Sequence, residues 1–226
     1  MRTTVDLPLL RLLQLVSPAL PVGAYSYSQG LESAVESGIV RDEKSAAAWI
    51  EDGLTLVVAR FEGPMFLRML AAAERRDANA LCDLNASFLA GRETAELRAE
   101  TVQMGRSLCR LLGEIEETRP VTATLERLQE PSYPCAWACA AAAFEVGHDA
   151  AYAGYLWSWA ENQVLAAIKL VPLGQSAGQR TLARLASRIA ALAPKPDGDD
   201  LLANFAPGLA IASSDHETQY SRLFRS

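Results

Sequence analysis

Apolar residues recur along this chain at the three-to-four spacing of helices, and the alternating Val/Ile/Thr-rich runs that mark strands are scarce. Residues 7–16 read as a short first helix. Pro18 and Pro21 end it, and Gly23 and Gly30 bracket a loop in which Tyr25 and Tyr27 alternate with serines. Helix is expected again over 29–38. Asp42, Glu43 and Lys44 open a long helix through Trp49, Leu54 and Val58, with acidic residues where the helix dipole favours them. Gly63-Pro64 interrupts it, and Pro64 suits the first position of the next helix. Residues 77–89 and 93–117 are expected to be helical, and Pro120 punctuates. An Ala/Cys-rich helix starts at Ser132-Tyr133-Pro134 and ends near Gly147. Asp149 is expected to cap a helix that runs to Leu170, before Pro172, and 175–192 closes the compact part. The pattern predicts an all-α fold: one compact helical domain over 1–193, with about ten helices.

Beyond it the pattern changes. Residues 194–200 combine proline, glycine and charge and read as a flexible linker. Residues 201–226 then form a C-terminal tail that mixes Tyr220, Leu223 and Phe224 with Arg222 and Arg225. Such a tail has no obvious core to join, so docking on a partner is expected, with docking on its own domain as the alternative.

Composition narrows the classes. The chain has 226 residues, half of them hydrophobic, and a net charge of −6. With no basic run, nucleic acid is not an expected partner. No stretch of about 20 apolar residues is present, so no membrane span is expected. The 7–16 run is short and carries Arg11 and Gln14, which argues against a signal peptide and makes the cytoplasm the expected location. The four cysteines, Cys82, Cys109, Cys135 and Cys139, are then expected to be free thiols. Cys135 and Cys139 share a helix face and could supply half a metal site, but small residues that let helices approach closely explain them better.

Catalytic constellations are missing. The two histidines, His148 and His216, belong to no metalloprotease motif, and Gly174–Arg180 lacks the Gly-Lys-Ser/Thr ending and preceding strand of a phosphate loop. Glu93, Glu96 and Glu100 line one side of a helix, and Arg92, Arg98 and Arg106 nearby suggest a solvated, salt-bridged face. Trp137, Tyr152, Tyr155, Trp157 and Trp159 are expected mostly in the core, with one or two as interface anchors. No catalytic residue, metal ligand or cofactor is expected. Two positions stand out as contacts. Lys169 is a lone cation among Ala, Ile, Leu and Val, on the helical face of Asn162. Tyr25 lies on a Pro/Gly-framed loop that no helix face requires.

Three segments carry a family resemblance. They are Ser17-Pro-Ala-Leu-Pro-Val-Gly-Ala-Tyr-Ser-Tyr-Ser-Gln-Gly-Leu-Glu32, then Glu161-Asn-Gln-Val-Leu-Ala-Ala-Ile-Lys-Leu-Val-Pro-Leu-Gly-Gln-Ser-Ala-Gly-Gln-Arg180, and His216-Glu-Thr-Gln-Tyr-Ser-Arg-Leu-Phe-Arg-Ser226. Glu93-Thr-Ala-Glu-Leu-Arg98 and Gln103-Met-Gly105 lie between them. In this order, over nearly the whole chain, they resemble UreF, the urease accessory family. The resemblance implies an all-helical homodimer that binds UreD (also called UreH) and the GTPase UreG and docks on the urease apoprotein. There it serves GTP-dependent nickel insertion and modulates the GTPase, without being an enzyme. It also points to Tyr25, Lys169 and Arg222 as functional positions; Gln175 and Gln179, displayed beside the turn, together with Glu32, Tyr220, Leu223 and Phe224, are expected partner contacts as well. Two other readings remain: a helical dimerisation module with no chaperone role, and an enzyme built around a buried Lys169.

Overall fold

The computed structural model describes residues 6–192 and 204–226. Eleven α-helices account for most of them, and no strand occurs among the described residues. The first is α1 (Leu7–Val16), followed by a 3₁₀ turn at Ala24–Ser26 and α2 (Leu31–Glu36). Next come α3 (Glu43–Gly53), a π-helical stretch (Leu54–Glu62) and α4 (Gly63–Glu74). Then follow α5 (Ala78–Ala90), α6 (Ala95–Glu114), a 3₁₀ turn at Glu116–Thr118, α7 (Arg119–Leu125) and α8 (Tyr133–Ala143). The last three are α9 (His148–Leu170), α10 (Gln175–Ala191) and α11 (Pro207–Glu217). The linker expected at 194–200 lies outside the described residues.

At the centre lies α8, packed between α4 and α6. Its sequence is apolar on every side, and every residue from Cys135 to Ala141 has no exposed surface. A helix without a polar face belongs inside. The small residues let its neighbours approach, so Cys135 and Cys139 are buried free thiols, as expected from close packing. Trp137 fills the centre, edge-on to Phe66 and Tyr155. Around this centre, α9 packs on α1, α4 and α10, and α11 packs on α2.

Cap chemistry explains several boundaries. Asp42 accepts from the Ser45 amide while Ser45 accepts from the Asp42 amide, a reciprocal cap that starts α3. Asp77 and Thr94 cap α5 and α6 through the amides of Ala80 and Leu97. At α9 the cap position is Gly147, and Asp149 lies in the first turn, where its charge still meets the positive end of the helix.

At Gly63-Pro64 the structure departs from expectation. The chain is not interrupted there: Gly63 keeps helical angles, and the π stretch passes directly into α4. Each residue of a π-helix turns less about the axis, so Phe61, Glu62 and Gly63 all face inward and are buried. Two close approaches make room for them. A Cβ on Gly91 would lie 2.4 Å from the Phe61 ring, and one on Gly63 would lie 2.7 Å from the Tyr152 ring. Pro120 likewise opens a helix, α7, instead of only ending one.

Candidate functional site

The described tail folds back on its own domain, a correction to the view that it has no core to join. What it joins is polar as much as apolar. Glu32, at the start of α2, accepts the amides of Leu223 (2.6 Å) and Phe224 (2.8 Å), one on each oxygen. Ser28 binds the Ser226 carbonyl through its amide (2.8 Å) and hydroxyl (2.5 Å). Arg225 donates its amide to the Ser26 carbonyl at 2.8 Å. These bonds extend the tail along the Tyr25–Glu32 loop.

From the other side, α6 supplies carboxylates. Glu96 accepts from Arg222 (2.7 Å) on one oxygen and meets His216 Nδ1 (2.7 Å) with the other. Glu100, one turn further, accepts from Gln29 Nε2 (2.7 Å) and the Ser226 hydroxyl (2.8 Å). Burial pushes the Glu100 carboxyl up to about 7, against the pull of those two donors. Gln29 is itself oriented by Trp159, whose Nε1 donates to its oxygen at 2.8 Å. Its backbone has a left-handed φ of 54°, and Gly30 follows at 79°. A Cβ on Gly30 would lie 2.8 Å from the Ser213 nitrogen, so only glycine lets α11 seat there. Glu96 and Glu100 are therefore not members of a solvated face. Arg92, too, is withdrawn from it, in a buried ion pair with Glu62 at 2.5 Å. Of that set, Arg98 keeps the expected surface character, paired with Glu130 at 2.6 Å.

The docked tail brings the expected contact residues together in part. Lys169, in the last turn of α9, is exposed, and its ammonium lies 5.9 Å from the Tyr25 ring and 5.5 Å from the Phe224 ring. Two aromatic faces hold the cation by electrostatic attraction, so it needs no buried carboxylate. Asn162, on the same face, donates to the Tyr27 carbonyl at 3.2 Å and ties α9 to the loop. Tyr25 is 65% exposed, Leu223 67%, and Tyr220 fully exposed. Gln175 and Gln179 are exposed, one turn apart at the start of α10, after the Pro172 turn. Glu32 and Phe224 differ from the rest. Both are buried, and both oxygens of Glu32 are occupied by the tail, so these two hold the surface together from beneath.

Behind this surface is a cavity of about 80 Å³ lined by Gln29, Glu62, Arg92, Glu100, Tyr155 and Glu161, among others. It has room for about three waters at ~30 Å³ each. Tyr155 donates to Glu62 at 2.9 Å on its wall. No cluster of three or more His, Cys, Asp or Glu side chains among the described residues is placed to hold a metal ion. No helix among them is long and apolar enough to cross a membrane.

Sequence reasoning missed Glu62, Arg92, Glu96, Glu100, Gln29, His216 and Ser226. The available signal was the tail itself: a histidine, two arginines and a serine need acceptors, and α6 offers carboxylates at four-residue spacing.

The geometry defines a class: an all-α protein whose own tail, laid over an acidic seat, completes an exposed aromatic and basic surface. Comparison with known proteins places it further. The model of the UreF family matches residues 40–186. The urease accessory protein UreF of Azoarcus sp. (strain BH72) is 56% identical over 97% of this chain and 96% of its own. UreF of Dechloromonas aromatica (strain RCB) is 54% identical over 97% and 98%. That of Janthinobacterium sp. (strain Marseille) is 51% identical over 96% and 98%. The chain belongs to the UreF family of urease accessory proteins.

Proposed function

We propose that this protein is a non-enzymatic urease maturation chaperone of the cytoplasm. It joins UreD to the GTPase UreG on the urease apoprotein, serves GTP-dependent nickel insertion and modulates the GTPase. The observation that carries the reading is the meeting of Tyr25, Lys169 and the tail on one exposed surface, with the lysine head presented between two rings. A cation held in place and left open to solvent is suited to an acidic partner surface. Tyr220 and Leu223 beside it offer apolar anchors of the kind interfaces bury.

The homodimer is supported by α1. Leu7, Leu9, Leu10 and Leu13 are each about half exposed, an unusual density for one short helix. A two-fold axis that paired this face with itself would bury all four twice. The lone-lysine enzyme finds no support in the geometry, since Lys169 is exposed and flanked by rings instead of a base.

The test is co-purification of the full chain with UreD and UreG, followed by urease activation. Removal of residues 213–226 is expected to abolish UreD capture. Lys169→Ala is expected to melt close to the parent, within about 0.5 kcal/mol, yet to weaken UreG binding or activation. Lys169→Arg should restore function only partly, since a planar guanidinium does not replace a compact ammonium. Undiminished UreG affinity and urease activation with Lys169→Ala would remove Lys169 from the interface.

A further inference from the structure

Along α6, Ala95, Ala99, Val102, Arg106, Cys109 and Gly113 follow one another at alternating spacings of four and three residues. That is the repeat by which one helix offers a seam to another. The core-facing side of α6, with Leu97, Met104, Leu108 and Leu112, lies opposite. The seam opens instead into a groove of about 920 Å³, walled on its far side by Thr122, Leu125 and Leu128. The groove exists because α7 is short: α6 has 20 residues and α7 has 7. At 1.5 Å per residue α7 spans only about 10 Å, against about 30 Å for α6. From Leu125 to Ser132 the chain runs on without a regular helix. The outer face of α6 therefore has a helical neighbour for only part of its length.

The floor of the groove is apolar and small. Val102 and Leu125 are buried beneath it, and Cys109 and Leu128 are half-buried. Burial pushes the Cys109 thiol up to about 12, so the group stays neutral. Small side chains at Ala95, Ala99 and Gly113 allow a second helix axis to come close. The α6 rim is basic. Arg98 is neutralised by Glu130 at 2.6 Å. Arg106 donates to the Gln129 carbonyl at 3.3 Å and Arg110 to the Ser107 hydroxyl at 3.1 Å. Among the described residues neither has a carboxylate at ion-pair distance. On a chain of net charge −6, two exposed and uncommitted guanidinium groups on one rim select for negative charge. Glu126, at the end of α7, sits on the other rim and disfavours a second row of acidic residues there.

We propose that this groove is a docking site for an acidic amphipathic helix of a partner protein, laid along α6 with its apolar face on the seam and its carboxylates toward Arg106 and Arg110. The seam supplies a helix-shaped floor, and the rim supplies the sign of the partner and its orientation. The site lies on a different side of α6 from Glu96 and Glu100, which hold the tail, so it goes beyond the surface built around Lys169 and does not rest on the partners named for that surface.

The test uses the full chain and a fluorescent peptide of about 21 residues, with Leu at the a and d positions of its heptads and Ala and Glu elsewhere. A scrambled peptide of the same composition separates helix recognition from charge alone. Anisotropy is expected to show saturable binding of the heptad peptide, at least about tenfold tighter than the scramble and weakened by salt. Arg106→Glu with Arg110→Glu should weaken it about tenfold, and Ala99→Trp, which fills an exposed part of the seam, should abolish it. Arg41→Glu with Arg60→Glu changes the net charge equally, away from the groove, and should leave binding within about twofold. No binding at millimolar peptide would overturn the proposal, as would equal binding of the scramble or an equal loss in both charge-reversed pairs. Light scattering on Ala99→Trp covers the rival occupant: a mass that falls below the parent's would assign the groove to a second copy of this chain and overturn the proposal as well.

Discussion

At the scale of single residues, the buried pair of Glu62 and Arg92 shows how much one side chain can carry. The Arg92 side chain is almost wholly buried, pairs with Glu62 and lies over the Phe88 ring at 5.4 Å. Arg92→Ala would strand a carboxylate in the interior and is expected to cost about 3–5 kcal/mol in chemical denaturation. Replacing both partners with apolar residues of similar size should cost far less, because no unpaired charge then remains. Glu100 gives a pH prediction. Its carboxyl is raised from 4.5 to about 7 by burial, so the native state binds the proton more tightly than the unfolded chain. Its contribution is full below about pH 4.5 and is lost as pH rises through about 7, roughly 3 kcal/mol in all. Urea titrations across that range should show the slope in the parent and its disappearance in Glu100→Gln. Neither residue was legible in the sequence. Arg92 and Glu100 lie near complementary charges along the chain, and the local reading paired them there. Their partners, Glu62, Gln29 and Ser226, are far away in sequence, and helical periodicity says nothing about which distant segment arrives. Tyr25 and Lys169 were legible for the opposite reason: each breaks its local pattern.

At the scale of elements, α6 is the most constrained by its neighbours. It carries the tail's carboxylates on one side and meets the turn before α8 on another. A Cβ on Gly105 would lie 2.1 Å from the Pro131 carbonyl oxygen and 2.8 Å from the Ser132 carbonyl carbon, both backbone atoms. The turn cannot give way easily, since Asn85 binds the Glu130 carbonyl (2.9 Å) and the Ser132 amide (2.8 Å). Gly105→Ala is therefore expected to destabilise the protein by about 3 kcal/mol, read from the shift in the denaturation midpoint. A shift under about 0.5 kcal/mol would show that the turn moves freely. Most helices were readable from apolar spacing and caps, because those signals are local. The π stretch was not. It leaves the apolar spacing nearly intact and changes only the turn per residue, so Gly63-Pro64 looked like an end when it is a change of pitch. The tail helix α11 was hidden as well. Its residues are mildly apolar, and its seat on Gly30 is a long-range contact.

At the scale of the whole molecule, the all-α domain was legible because every strong local signal pointed the same way. The proposed homodimer can be tested at α1. Substituting both Leu9 and Leu13 by glutamate should leave the helical signal unchanged, since both side chains are about half exposed. It should also halve the mass seen by light scattering at micromolar concentration, by placing like charges across the two-fold axis. An unchanged mass would move the dimer contact elsewhere.

The seat beneath the tail has a temporal consequence. Ribosomes make chains from the N-terminus onward, so Ser28, Glu32, Glu96 and Glu100 are all synthesised well before residues 216–226 that satisfy them. Until residues 216–226 emerge, Glu32 and Glu96 lack the donors that hold them, and Glu100 keeps Gln29 but lacks Ser226. Synthesis of residues 216–226 is thus the event that satisfies the seat. A chain cut short before residue 213 would keep nearly all of its core and present an unfinished acidic seat.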